Sequence, residues 1–162
     1  QVVFEPELHK KNLKYTCILN SEHPYVICDR TKVREILLNI VSNSIKYTPD
    51  GGSIVVDILE FHYSKEGHTS FRIVVADTGI GMSKEFQDHI FELFTQETGG
   101  ARSVYGGTGL GMPITKKLIE KMKNFHKHIP PSAMLLFSVT RHLFCIHHNI
   151  SMICLHPTNR QL

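Results

Sequence analysis

Three short runs of residue types in this 162-residue chain could do chemistry together. The first is Asn39, Asn43 and Lys46, spaced four and then three, which places all three on one face of a helix. Asparagine is a poor residue for a helix interior because its amide competes for nearby backbone groups. Two in register therefore need an explanation. An amide oxygen is a hard ligand suited to Mg²⁺, and a lysine one turn on can neutralise a phosphate. A solvated face is the plainer alternative.

The second run is Val74-Val75-Ala76-Asp77-Thr78-Gly79-Ile80-Gly81-Met82. An apolar strand ends here in an acid followed by two glycines. Asp77 can accept a hydrogen bond from an exocyclic amine such as that of adenine. Gly79 and Gly81 let the main chain turn sharply and approach a ligand with no Cβ in the way. An ordinary strand-to-helix turn capped by Ser83 is the alternative. The third run, Gly106-Gly107-Thr108-Gly109-Leu110-Gly111-Met112, opens a helix. Its free N–H groups and the helix dipole suit an anion. It is neither the dinucleotide fingerprint, since Met112 stands where the third glycine belongs, nor a P-loop, since no Gly-Lys-Ser/Thr occurs.

The elements that must position these runs can be read from the surrounding pattern. Strands are expected at Lys14–Leu19, Tyr25–Cys28, Ser53–Phe61 and Phe71–Ala76, all rich in β-branched or aromatic residues. Helices are expected at Thr31–Tyr47, Ser83–Phe91 and Leu110–Met122, the first capped by Asp29 and the second by Ser83, with Pro113 in the first turn of the third. Val33, Ile36, Leu37, Ile40, Val41, Ser44 and Ile45 form the core stripe of the first helix. Thr48-Pro49-Asp50-Gly51-Gly52 then stops it and turns the chain into a strand. Strands mixed with helices on one side predict a two-layer α/β sandwich.

Composition bounds the rest. At 18.5 kDa with 41% hydrophobic and 20% charged residues, the chain is long enough for one core and too apolar to be disordered. A net charge of +3 is too small to argue for nucleic acid. No apolar run reaches the ~20 residues of a membrane span and Gln1 starts no signal peptide, so no direct membrane contact is expected. Cys17, Cys28, Cys145 and Cys154 are too sparse for a disulfide scaffold, so free thiols in the cytoplasm are the expectation. All 15 acidic residues lie at or before Glu120 and the last glycine is Gly111, whereas six of the 11 histidines follow Lys121. Residues 1–121 therefore read as one domain, and 122–162 as an atypical tail whose sequence would suit an aberrant translation.

The three runs in this order resemble the ATP-binding catalytic domain of sensor histidine kinases, within the superfamily shared by gyrase, MutL and their chaperone relatives. Asn39–Thr48 is similar to the asparagine box and Asp77–Met82 to the first glycine box. Phe91-Glu92-Leu93-Phe94 is similar to the phenylalanine box, and Gly107–Met112 to the second glycine box. Gln96-Glu97, Ala101-Arg102 and Tyr105 look most like bacterial hybrid sensor kinases. The resemblance covers about three quarters of the chain, from Val33 to Met122 in its motifs, and implies a Bergerat-type fold with a mixed sheet covered by helices on one face.

It also implies ATP and Mg²⁺ as ligands. Asn43 would be the principal metal ligand with Asn39 assisting near the phosphates, Lys46 would meet phosphate, and Tyr47 would lie by the nucleotide. Asp77 would read the adenine amine, with Gly79 and Gly81 giving it room. Thr95–Gly106 would form a lid anchored by Phe91 and Phe94, with Arg102 near the phosphates. Gly107, Thr108, Gly109, Leu110 and Gly111 would wrap the triphosphate. The implied partners are a phosphoacceptor histidine hairpin and the receiver domain of a response regulator, with the parent protein either soluble or anchored in the inner membrane.

One position separates kinases from the hydrolases of the superfamily, which carry a glutamate four residues before the metal asparagine. Asn39 stands there, and an amide cannot accept a proton from water. Two departures stand against the kinase pattern. Nothing before Val33 resembles the phosphoacceptor box, since His9 is followed by Lys10-Lys11 and His23 by Pro24. The chain therefore reads as a fragment that starts after the hairpin. After the third helix, Lys123–His128 replaces the expected Gly-Gly turn, leaving Met134–Thr140 as one candidate strand without hairpin glycines for its partner. Three other readings remain: a nucleotide-binding module without kinase activity, a retropepsin-like aspartic protease built on Asp77-Thr78-Gly79, and a zinc site in the tail through His126, His128, Cys145, His147, His148, Cys154 and His156.

Overall fold

The computed structural model describes residues 3–23, 25–62, 68–97, 106–124, 136–140 and 143–154. In chain order the elements are α1 (Glu5–Lys10), β1 (Lys14–Asn20), β2 (Val26–Ile27), α2 (Arg30–Tyr47), β3 (Ser53–His62), β4 (His68–Asp77), α3 (Lys84–His89), α4 (Gly111–Asn124), β5 (Leu136–Thr140) and β6 (Leu143–Cys154). The sheet runs β1-β3-β4-β6-β2, with β5 paired to β6. Only β1 and β3 are parallel; the other pairings are antiparallel, so the sheet is mixed as expected.

Alternation along β3 and β4 sets the core. Ile54 and Val56 on β3, and Phe71, Ile73 and Val75 on β4, are buried against Ile36, Ile40, Val41 and Ile45 of α2 and Met112 and Ile119 of α4. Side chains two apart on a strand share a face, and Asp77 continues the Phe71-Ile73-Val75 series. Its carboxylate therefore leaves the sheet on the helix-covered side, opposite Ile54 in the register.

α2 begins at Asp29, whose side chain accepts from the Lys32 amide at 3.0 Å, as an N-cap should. It ends because Thr48 precedes Pro49 and is extended, a conformation the following proline favours. Ser83 caps α3, accepting from the Phe86 amide at 3.2 Å. α3 stops at His89 rather than Phe91, so the phenylalanine box lies beyond the helix.

Two elements were not expected. α1 buries only Leu8, too little for a helical period to register. β6 carries no clean alternation, and its partner β4 is about 80 residues away in sequence. The expected tail strand is present as β5 within Met134–Thr140, and its backbone pairs antiparallel with β6, Thr140 opposite Leu143. α4 runs through the compositional break to Asn124, and β6 lies between β4 and β2 in the main sheet. Cys145, His147, His148 and Cys154 fall in β6, whereas His126, His128 and His156 lie outside the described residues.

At the far end of β3, about 20 Å from Ile54 at strand rise, the Glu60 side chain is only 7% exposed. Its Oε2 accepts from Ser21 Oγ at 2.7 Å and from the amides of Glu22 and His23 at 2.8 and 3.1 Å. Its Oε1 accepts from Thr69 Oγ1 at 2.6 Å and contacts His23 Nδ1 at 2.5 Å. Burial pushes this carboxyl up, but the bonds from Thr69, Ser21 and His23 outweigh it and hold it at about 2. A cavity of about 390 Å³ opens beside it, between Asn20 and Leu59. Because the folded pKa lies below the ordinary value, Glu60 contributes stability that is complete above about pH 4.5 and lost as pH falls toward 2. The unfolding free energy from urea denaturation is expected to fall by on the order of 1–2 kcal/mol across that window, after allowance for solvent screening, and Glu60→Gln should flatten the dependence.

Candidate functional site

The polar face of α2 meets the loop that opens α4. Asn39 Nδ2 reaches Gly111 O at 3.5 Å and Thr115 Oγ1 at 3.4 Å. About two turns on, Lys46 Nζ donates to Gly106 O at 2.5 Å and stands 4.9 Å over the Tyr47 ring. Asn43 lies between them, half-buried, and no hydrogen bond ties its amide to another described residue. The face is thus neither core nor fully solvated. A Cβ at Gly107 would stand 3.0 Å from Lys46 Nζ, so the glycine is part of that approach.

The carboxyl end of the same helix holds the first glycine segment. Ile80 N donates to Tyr47 O at 3.1 Å. Gly79 N donates to Asp77 Oδ1 at 2.9 Å, an aspartate turn that leaves Oδ2 without a partner among the described residues. A Cβ at Gly79 would lie 2.6 Å from Asp77 Oδ1 and 2.9 Å from Tyr47 O, so no larger residue fits without a shift. Gly81 has φ +68, which an L side chain rarely adopts. Thr78 locks the turn to the start of β3: its amide donates to Ser53 O at 3.0 Å and its Oγ1 accepts from Ser53 N at 2.9 Å.

The phenylalanine box is split in role. Phe91 packs on the core with Lys116 Nζ 5.3 Å over its ring. Phe94 does not anchor through its ring, which belongs to a residue 71% exposed; its backbone does the anchoring. Phe94 N donates to Gly109 O at 3.2 Å, and both residues have positive φ, +63 and +67. A Cβ on Gly109 would stand 2.7 Å from Phe94 C. Gln96 Nε2 donates to Gly107 O, and Glu97 Oε1 accepts from Ser83 N at 3.1 Å. Ala101, Arg102 and Tyr105 lie outside the described residues. Thr108 is exposed and Leu110 half-buried, on either side of Gly109.

Sequence reasoning missed Thr115, fully buried and facing Asn39. The signal was its place four residues after Gly111, on the same side of α4. It also missed Gln96 as a tie to the glycine loop.

Residues 28–134 match the family described as histidine kinase-, DNA gyrase B-, and HSP90-like ATPase. The chain belongs to this family. Among its relatives, it is 37% identical over 121 residues to the sensor protein GacS of Pseudomonas syringae pv. syringae, covering 74% of this chain and 13% of that protein. It is 35% identical over 116 residues to hybrid signal transduction histidine kinase D of Dictyostelium discoideum, covering 72% and 7%. The chain thus spans a small part of these relatives. Among solved structures, the catalytic domain of histidine kinase ThkA, in a nucleotide-free form, superposes with a TM-score of 0.66 at 25% identity, covering 94% of this chain and 86% of that one. The expected Bergerat-type α/β sandwich is therefore the fold, and the protease reading of Asp77-Thr78-Gly79 is set aside. Among the described residues, no helix of this ATPase-family domain is long and apolar enough to cross a membrane.

Gly109→Ala should be the most damaging single-methyl change in this loop. It combines positive φ with a backbone collision, at a cost of about 1–3 kcal/mol. Urea denaturation measures the loss, and limited proteolysis should detect faster cleavage near Phe94.

Proposed function

We propose that this chain is the ATP-binding catalytic unit of a two-component sensor histidine kinase, transferring the γ-phosphoryl group of ATP to a histidine on a dimerisation hairpin that this sequence lacks. The observation that carries the reading is the convergence on one helix of Lys46 with Gly106, Asn39 with Gly111, and the Tyr47 carbonyl with Ile80. That convergence sets both glycine segments against one helix, with Asn43, whose amide has no hydrogen-bond partner among the described residues, between Asn39 and Lys46.

The donor set fits a metal-bound polyphosphate. Asn43 offers a neutral oxygen with no competing hydrogen bond among the described residues, of the hard type Mg²⁺ accepts. Bound Mg²⁺ would supply charge neutralisation at the phosphates. Asn43 would hold it, with Asn39 beside it, and Lys46 would meet phosphate alongside. Arg102 would do the same from the lid between Thr95 and Gly106. Asp77 would present Oδ2 to the adenine amine, with Gly79 and Gly81 keeping that side open and Tyr47 alongside the base. Gly107, Thr108, Gly109, Leu110 and Gly111 would wrap the phosphates with main-chain N–H groups at the α4 terminus. Catalysis on this reading is positioning and charge neutralisation, and Asn39 supplies no base that would activate water. The receiver domain of a response regulator would take the phosphoryl group onward. Free Cys17 and Cys28 suit a cytoplasmic site of action.

Calorimetric titration should find ATP binding that strengthens with Mg²⁺, while radiolabelled ATP leaves no acid-labile label on the chain alone. Label on the isolated chain would contradict the absence of a phosphoacceptor. Asn43→Ala should reduce transfer to a supplied histidine hairpin by about 100-fold or more, with a stability change within about 0.5 kcal/mol. Glu35→Ala, exposed on the same helix, is the control; equal behaviour of the two variants would sink the metal-site reading. Asp77→Asn should weaken ATP affinity by about tenfold, since the amide can present a donor to the adenine amine. Unchanged affinity would remove Asp77 from base recognition.

A further inference from the structure

The residue just beyond α1 has no role in any reading given so far. Lys11 Nζ donates to Ile45 O at 2.8 Å, to Lys46 O at 3.2 Å and to Thr48 O at 2.5 Å. These are carbonyls at the carboxyl end of α2, where the helix leaves acceptors unused and the dipole favours a cation. Helices often solve this with a glycine in the left-handed region just past the last turn. Thr48 is extended and Pro49 follows, so that cap is unavailable and a side chain from another element replaces it. The backbone of Lys11 is tied to the same corner, because Gly51 N donates to Lys11 O at 2.9 Å.

We propose that Lys11 is a positioning residue for the nucleotide site, its ammonium group clamping the last turn of α2 so that Lys46 and Tyr47 are presented correctly to the two glycine segments. The clamp sits directly behind both. Lys46 offers its carbonyl to Lys11 and its ammonium to Gly106 O. Tyr47, flanked by clamped carbonyls on both sides, offers its own to Ile80 N. If the turn frays, the Tyr47 carbonyl moves, and the first glycine segment loses the hydrogen bond that fixes it beside Asp77. The affinity consequence rests on the proposed ATP reading; the mechanical consequence does not.

The test compares Lys11→Met, which keeps the aliphatic stem and removes the charge and donors, with Lys11→Gln as a milder variant and Lys10→Met as an exposed neighbour. Amide hydrogen exchange should accelerate by about tenfold or more at Ile80 and Thr48 in Lys11→Met, the loss expected for charge-assisted bonds, while Val56 and Val75 in the core strands keep wild-type protection. Lys11→Gln should fall between, and Lys10→Met should match wild type. ATP affinity, measured far below the unfolding temperature, should weaken by about tenfold in Lys11→Met with the same ranking. Unchanged exchange at Ile80 overturns the proposal. So does acceleration spread equally over Val56 and Val75, which would reduce Lys11 to general stability. If Lys11→Met fails to fold, Lys11→Gln decides by the same comparison. Failure of the wild-type chain to bind ATP would defeat the kinase reading, while exchange at Ile80 would still decide the role of Lys11.

Discussion

The carboxyl end of α2 presents four carbonyl oxygens that no further helical turn can use, and the candidate site is organised by how they are satisfied. Ser44 O takes the amide and hydroxyl of Thr48 at 3.0 and 2.6 Å. Ile45 O and Lys46 O take the Lys11 ammonium. Tyr47 O takes the amide of Ile80. A requirement of helix geometry thus joins an N-terminal segment, the long helix and the first glycine turn at one corner. The Pro49–Gly52 turn then leads from that corner into β3, whose pairing with β4 delivers Asp77. Few of these parts could move alone.

The second join is of a different kind. Asn39 reaches the first turns of α4 and Lys46 reaches the glycine loop before it, both through half-buried side chains rather than main-chain bonds, so this contact can adjust more readily than the first. The site therefore has a rigid side, built of main-chain bonds around Asp77 and Gly79, and a compliant side around Gly106 and Gly107. A ligand that carries a flat base at one end and a flexible charged chain at the other has the same division of stiffness.

Much of this was legible in the sequence because the informative residues are local. The core stripe of α2, its Asp29 cap and its stop before Pro49 are short-range signals, and each coincides with the structure. The two glycine runs were legible for the same reason: positive φ at Gly81 and Gly109 is a property of single positions. What escaped depends on partners distant in sequence. Nothing in Lys10-Lys11 distinguishes the exposed lysine from the one that caps a helix 34 residues away. Phe94 was expected to anchor the lid only because the resemblance implies it. The structure uses its backbone instead and leaves the side chain out. β6 was missed because its apolar residues carry no period, and pairing to β4 is decided by the sheet rather than by the strand.

The paired bonds from Phe94 to Gly109 and from Gln96 to Gly107 close a loop at its base. Closure at the base separates the geometry of the stem from the length of what it carries. Adding residues to a loop already closed costs little, since each doubling of its length adds only about 0.6 kcal/mol of chain entropy. Changes in the number of residues between Gln96 and Gly107 should accordingly cost the glycine turns little.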